Sequence, residues 1–252
     1  MHEAQTHACN SFLTLTYADE HLPFDYGLQL VDVQRWLTRL RVLLKRHHDV
    51  LIRFFLCGEY GEQNYRPHYH PIIFGSDWVH DRVPWRKTQS GHLVYRSPSL
   101  EKTWPYGHVE IGTLTHQSAG YVSRYVLKKI GGDQAVEHYK RVHPVTGELN
   151  TVAREFITMS TNPGIGATWY ERYAGDAFPS DFVVIDGQKR PVPAYYSKKL
   201  KEASENDLLK VKWQRIREAA KHEYNNTLER LAVREELQHL RAKKLVSDME
   251  SE

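Results

Sequence analysis

Along Ser11–Tyr17 the apolar and polar positions alternate, with Leu13, Leu15 and Tyr17 on one parity and Phe12, Thr14 and Thr16 on the other, which predicts a half-buried strand. The period then changes. From Asp32, a suitable N-cap, Val33, Trp36, Leu37, Leu40, Leu43 and Leu44 recur at steps of three and four, predicting an amphipathic helix. Two β-rich stretches follow, Leu51–Glu59 and His68–Phe74, and the Gly, Asn and Pro containing loop between them predicts a hairpin. Residues 76–106 have no clear period and read as an irregular insertion or lid. A short strand, His108–Thr113, leads into a helix from near Thr115 to about Ile130.

Residues 131–153 read as loop with one helical turn, and Glu155–Ser160 as one more strand before the P-G-I-G punctuation at 163–166. Beyond Pro193, the last proline, Leu209, Trp213, Ile216, Ala220, Tyr224, Leu228 and Leu231 mark a helical stripe. This divides the chain into a main domain, 1–193, and a helical appendage, 194–252, carrying 13 basic and 11 acidic residues. A solvated helix or helical hairpin is the ordinary reading of such a tail; an oligomerisation or DNA-clamping role is the alternative.

Composition narrows the classes. No apolar run approaches the length of a membrane span, and Met1–Asn10 lacks the apolar core of a signal peptide, so a soluble, unexported protein of a reducing cytoplasm is expected. With only Cys9 and Cys57, neither a disulfide framework nor a CxxC knuckle is available. A net charge of +3 is too small to make the whole surface a polycation, so phosphate binding must come from local clusters. Arg35, Arg39, Arg41, Lys45 and Arg46 form such a cluster with no acidic residue among them. Arg35, Arg39 and Arg41, with Arg124 and Lys129 farther along, are the candidate DNA contacts.

Two segments carry chemistry. In R-P-H-Y-H-P-I-I-F, residues 66–74, strand alternation projects His68 and His70 from one face, where two imidazoles can share one ion. Two surface histidines on a strand are the plainer explanation, because H-x-H is cheap in a chain with 15 histidines. Hairpin pairing brings Glu59 to the start of the second strand, where its carboxylate completes a His, His, Glu set; Glu62, in the loop, competes for that place. Such a set suits Mg²⁺ or Mn²⁺ with open positions rather than structural Zn²⁺. In Y-V-S-R-Y-V-L-K-K, residues 121–129, Tyr121, Tyr125 and Lys128 share a helical face. Ordinary half-buried packing would also produce a tyrosine face. Phenol is a poor nucleophile at neutral pH, so a metal that makes phosphorus electrophilic and a lysine near the attacking oxygen would each make the tyrosines more effective.

Taken together, F-L-T-L-T-Y-A-D-E-H-L-P, G-E-Y-G with R-P-H-Y-H-P-I-I-F, and W-P-Y-G-H-V-E-I-G leading to S-A-G-Y-V-S-R-Y-V-L-K-K resemble the replication initiation proteins of small single-stranded DNA phages, in particular the gokushovirus-type microviruses, within the HUH endonucleases. The likeness continues through F-I-T-M-S-T-N-P-G-I-G and Y-Y-S-K-K-L and covers roughly residues 11–200. It implies an α+β fold, a central antiparallel sheet with flanking helices. It implies metal-binding His68 and His70, with Glu59 a weaker match, and nucleophilic Tyr121 and Tyr125 assisted by Lys128. The implied activity is metal-dependent nicking and rejoining of origin DNA, single-stranded or supercoiled, in rolling-circle replication. The implied setting is the host bacterial cytoplasm, beside a host helicase and DNA polymerase. A plasmid initiator, relaxase or transposase shares that chemistry. A non-catalytic single-strand binder and a hydrolase with a water nucleophile stand as rivals from other classes.

Overall fold

The computed structural model describes residues 1–61, 64–88, 91–128, 132, 134–143, 146–185 and 187–243; within these, residues 47, 48, 124–128, 134, 242 and 243 are described by backbone alone. Two compact units result, one Met1–Ile165 and the other beginning at Gly166.

The first unit is an α+β fold around a seven-stranded antiparallel sheet. Its strands are β1 (Asn10–Tyr17), β2 (Arg53–Tyr60), β3 (Pro67–Phe74), β4 (Val83–Lys87), β5 (Leu93–Arg96), β6 (Gly107–Thr113) and, after a small hairpin of β7 (Lys140–Val142) and β8 (Leu149–Thr151), β9 (Phe156–Met159). The spatial order is β4-β5-β6-β1-β3-β2-β9. Helices α1 (His2–Gln5), α2 (Leu30–His48), α3 (Pro98–Glu101), α4 (His116–Lys128) and α5 (Gln134–His138) flank it.

Alternation along the strands gives the sheet two unlike faces. Leu13, Leu15, Leu56, Tyr69, Ile73, Val109 and Ile111 point to one, where Val33, Trp36, Leu37, Leu40 and Leu44 of α2 pack into the main core. Each aliphatic side chain fully buried there contributes about 1.5–3 kcal/mol. Two indoles of that core find acceptors: Trp36 donates to Thr103 Oγ1 at 2.9 Å and Trp104 to the Thr16 carbonyl at 2.9 Å. The opposite face carries a smaller apolar cluster, Phe12, Cys57, Ile72 and Phe74 with Tyr121 and Val122 of α4. Gly107, in the W-P-Y-G-H segment, is required where β6 meets β1, because a Cβ there would lie 2.2 Å from the Thr16 carbonyl oxygen.

Three expectations change. Helix α2 begins at Leu30 with Gln29 as N-cap, so Asp32 sits in its first turn, where it accepts a hydrogen bond of 2.8 Å from Tyr17. Residues 83–96 form β4 and β5 instead of irregular chain, and they extend the sheet at its edge. Their exposed side chains and Pro84 hide the alternation, a pattern an edge strand tolerates. Residues 140–151 likewise contain the β7–β8 hairpin.

The second unit holds α6 (Ala167–Ala177), the hairpin β10 (Phe182–Ile185) and β11 (Gln188–Pro191), α7 (Ala194–Ala203), α8 (Glu205–Ala220) and α9 (Leu228–Lys243). Trp169, Tyr170, Ala177, Phe178, Val183, Tyr196 and Val211 form its core. Among the described residues the tail holds three α-helices: Ser204 caps α8 by accepting from the Asp207 amide, and residues 221–227 separate α8 from α9. Leu208 and Val211 are the buried positions of α8, while Trp213 and Ile216 of the expected stripe face solvent. Among the described residues no helix is long and apolar enough to cross a membrane.

Candidate active site

Strand register assembles the site on the face opposite α2. Glu59 of β2 lies directly across from His68 of β3, His68 from Thr16 of β1, and Thr16 from His108 of β6. Directly paired residues point to the same side, so this row crosses four adjacent strands on one face. The next row places Cys57 beside His70 and Thr14 beside Glu110.

Above them stands α4. The Tyr121 hydroxyl donates to Glu59 Oε1 at 3.2 Å, and the same oxygen lies 2.6 Å from His70 Nε2. Thr14 Oγ1 is 3.3 Å from His70 Nδ1. With a proton on Nε2 shared with the carboxylate, Nδ1 accepts from Thr14, a tautomer assigned from the hydrogen-bond network. Phe12 stacks on the His70 ring at 5.6 Å and Tyr121 meets that ring edge-on at 5.4 Å. Packing and hydrogen bonds thus hold His70 in place, while His68 has its ring centre 6.5 Å from that of His70.

Electrostatics separate the groups. Burial foremost, then the neighbouring His70 and Arg66, hold the His68 imidazole down to about 4, so it is neutral at pH 7 with a lone pair to give. Burial, then the Glu59 charge, push the Cys57 thiol well up, which keeps a thiolate out of the site. The donor chemistry of His68, His70 and Glu59 fits an open divalent-ion site. As the side chains stand, Glu59 and His70 bond each other, and among the described residues no group of three or more His, Cys, Asp or Glu is already arranged to hold a metal.

Glu59, His70 and Tyr121 are therefore in direct contact, with His68 alongside. Tyr125, Lys128 and Arg124 lie on the α4 backbone, but their side chains, like Glu62 and Lys129, lie outside the described residues. The α2 arginines are elsewhere. Their helix packs on the other face of the sheet, where Arg39 donates to the Thr103 carbonyl at 2.7 Å and lies over Tyr106, and Arg41 lies over Phe54. Arg39 is thus a packing residue, and Arg35 and Arg41 are exposed away from the histidines. Thr14, Thr16 and His108 join the site only through pairing of β1 with β3 and β6. The alternation of Ser11–Tyr17 gives their parity and nothing in the sequence gives that register.

A family model for replication-associated proteins of the ORF2 type matches residues 10–130, the span from β1 through α4 that holds every described group of this site. The chain is 36% identical over 202 residues to the replication-associated protein VP4 of Bdellovibrio phage phiMH2K, an overlap covering 77% of this chain and 59% of that relative. It is 29% identical over 199 residues to the replication-associated protein ORF2 of Spiroplasma virus 4, covering 76% of this chain and 58% of the relative. To the replication-associated protein ORF4 of Chlamydia phage 1 it is 28% identical over 212 residues, covering 81% and 49%. The chain thus spans about half to three-fifths of these relatives' lengths. No solved structure matches it.

Proposed function

We propose, from the premise that this chain belongs to the ORF2-type family of replication-associated proteins, that it nicks and rejoins origin DNA to start and finish rolling-circle replication of a phage genome. The observation that carries this reading is the contact of the Tyr121 phenol with a carboxylate that also holds His70, on one face of the sheet.

The Tyr121 phenolic oxygen attacks a scissile phosphodiester, and its proton passes to solvent water. The Tyr121 Oη–P bond forms and the bond from phosphorus to the 3′ oxygen breaks, that oxygen taking a proton from water. The products are a 5′-phosphotyrosyl end and a 3′-hydroxyl that a host polymerase extends behind a host helicase. Because the phosphotyrosyl linkage is itself a phosphodiester, a later 3′-hydroxyl can displace the tyrosine and close a circle without ATP. His68, His70 and Glu59 would hold a divalent ion, Mg²⁺ or Mn²⁺, which when bound supplies Lewis-acid polarisation of the phosphate. Tyr125, four residues on in sequence, is the second acceptor that successive rounds require, and Lys128 is the lysine that would assist it.

The test is incubation with labelled single strands tiling the viral genome and Mn²⁺, followed by denaturing electrophoresis. A protein–DNA band that survives boiling in detergent, disappears with EDTA and returns with added metal is expected. His68→Ala and His70→Ala should remove it in folded protein. DNA binding without any such band would instead make the chain a single-strand binder.

A further inference from the structure

The face that carries Glu59, His68 and His70 continues beyond β6 onto the β4–β5 hairpin, and what stands there has no part in the chemistry above. Tyr95 pairs with Ile111 and packs against the α2 core, so its neighbour Arg96 points to the opposite side, that of the active site. Arg86 reaches across β5 to Glu110 on the same side, in a bidentate pair at 3.0 and 2.9 Å. The Arg96 guanidinium lies 4.1 Å from the centre of the Trp85 ring, and that ring is 54% exposed. Glu101, with Oε1 3.6 Å from Arg96 Nε, helps to hold the guanidinium there. A large indole kept half in water gains little for the fold. A cation stacked on it fixes its plane and adds positive charge beside it.

Charge agrees with this geometry. Residues 82–96 contain Arg82, Arg86, Lys87 and Arg96 and no Asp or Glu, in a chain whose net charge is only +3. Three of these cations are ion-paired, Arg82 with Asp77, Arg86 with Glu110 and Arg96 with Glu101, but the hairpin carries no carboxylate of its own to repel phosphate, and Arg86 offsets the charge of Glu110 between it and the histidines. Four strand spacings of about 4.8 Å put β4 about 19 Å across the sheet from β3.

We infer that Trp85, backed by Arg96, is a base-stacking platform for the single-stranded DNA flanking the scissile phosphate. The inference rests on the reading that the site works on single-stranded DNA. An exposed aromatic ring receives any base on its face, and basic side chains follow the phosphates, the combination by which single strands are held without sequence readout. Duplex DNA offers no free base face and is held by charge alone.

The experiment is fluorescence anisotropy of a labelled oligo-dT of about 20 nucleotides, and of a duplex of equal length, titrated with the full chain in EDTA so that no cleavage enters the signal. Trp85→Ala should weaken single-strand binding about tenfold, within the range expected for one lost base stack, and Trp85→Phe should restore most of it. Trp213→Ala, which removes a comparably exposed indole from α8, should change nothing. Unchanged affinity in folded Trp85→Ala protein overturns the inference, and so does an equal loss on the duplex. In both cases the adduct assay with wild-type protein and Mn²⁺ reports separately on the nicking reading. A wild-type chain that neither binds oligo-dT nor forms an adduct brings down both.

Discussion

The two faces of the central sheet are made by the same strands, and they differ in what they leave unfinished. Toward α2 the strands present aliphatic and aromatic side chains, three tryptophans are fully buried and the indoles of Trp36 and Trp104 have hydrogen-bond acceptors. Toward α4 the same strands present Thr14, Thr16, Glu59, His68, His70 and His108, with a smaller apolar cluster under Tyr121. Alternation makes this possible at no topological cost: one parity stabilises the fold and the other is free to hold charge, imidazole and phenol. The face that stabilises the protein is also the one on which the α2 arginines lie, opposite the histidines.

The sharpest way to break this division is at the tyrosines. Tyr121→Phe with Tyr125→Phe should abolish the covalent adduct while leaving the thermal melt near that of the parent. Each single variant should keep some cleavage of an oligonucleotide but fail to support successive rounds. If one single variant sustains continuous turnover at the parental rate, the tyrosine it lacks is packing and does no chemistry. On the other face, Leu40→Ala should cost about 2–5 kcal/mol in denaturant unfolding, as for other fully buried leucines, yet form adduct normally well below its melting temperature. Loss of adduct in a folded Leu40→Ala protein would show the faces to be coupled.

A smaller effect follows from His68. Its imidazole is held down to about 4, against about 6.5 in an unfolded chain, chiefly by burial. Between those values the unfolded chain binds the extra proton, so stability is complete above about pH 6.5 and declines as pH falls toward 4. Urea melts across that window should show the parent losing stability relative to His68→Gln; parallel profiles would mean that this ring is not buried as described. Smallest of all should be removal of α9 by truncation after Asn226. Its described side chains are exposed, so unfolding free energy should change by no more than about 0.5 kcal/mol, with adduct yield unchanged. Cutting near residue 200 instead removes Leu208 and Val211 from the second core and would confuse folding with function.

Much of this architecture is legible in sequence where a period survives. The alternation of Ser11–Tyr17 and the three-and-four spacing of Val33–Leu44 give β1 and α2 because one face of each meets a continuous core. The H-x-H spacing gives His68 and His70 a common face, and the short hairpin loop brings Glu59 opposite His68. Long-range pairing is what the sequence withholds. His108 and Thr16 enter the row only through β6–β1 register, and β4–β5 carries exposed side chains on an edge where solvent erases the pattern. In α8 the regular spacing of Trp213 and Ile216 marks a solvent-facing stripe, since helical period alone does not say which side is covered.

The central claim, that the α4 face carries the chemistry through a tyrosine, is tested most directly by locating the nucleotide on the adduct. Trypsin cleaves after Arg124 and so places Tyr121 in residues 103–124 and Tyr125 in residues 125–128, and fragmentation separates Tyr121 from Tyr106. Mass spectrometry of nuclease-trimmed adduct should find a nucleotide phosphate on Tyr121, on Tyr125, or on both in different molecules. A nucleotide on any other side chain, or cleaved DNA with no peptide bearing one, would contradict the account.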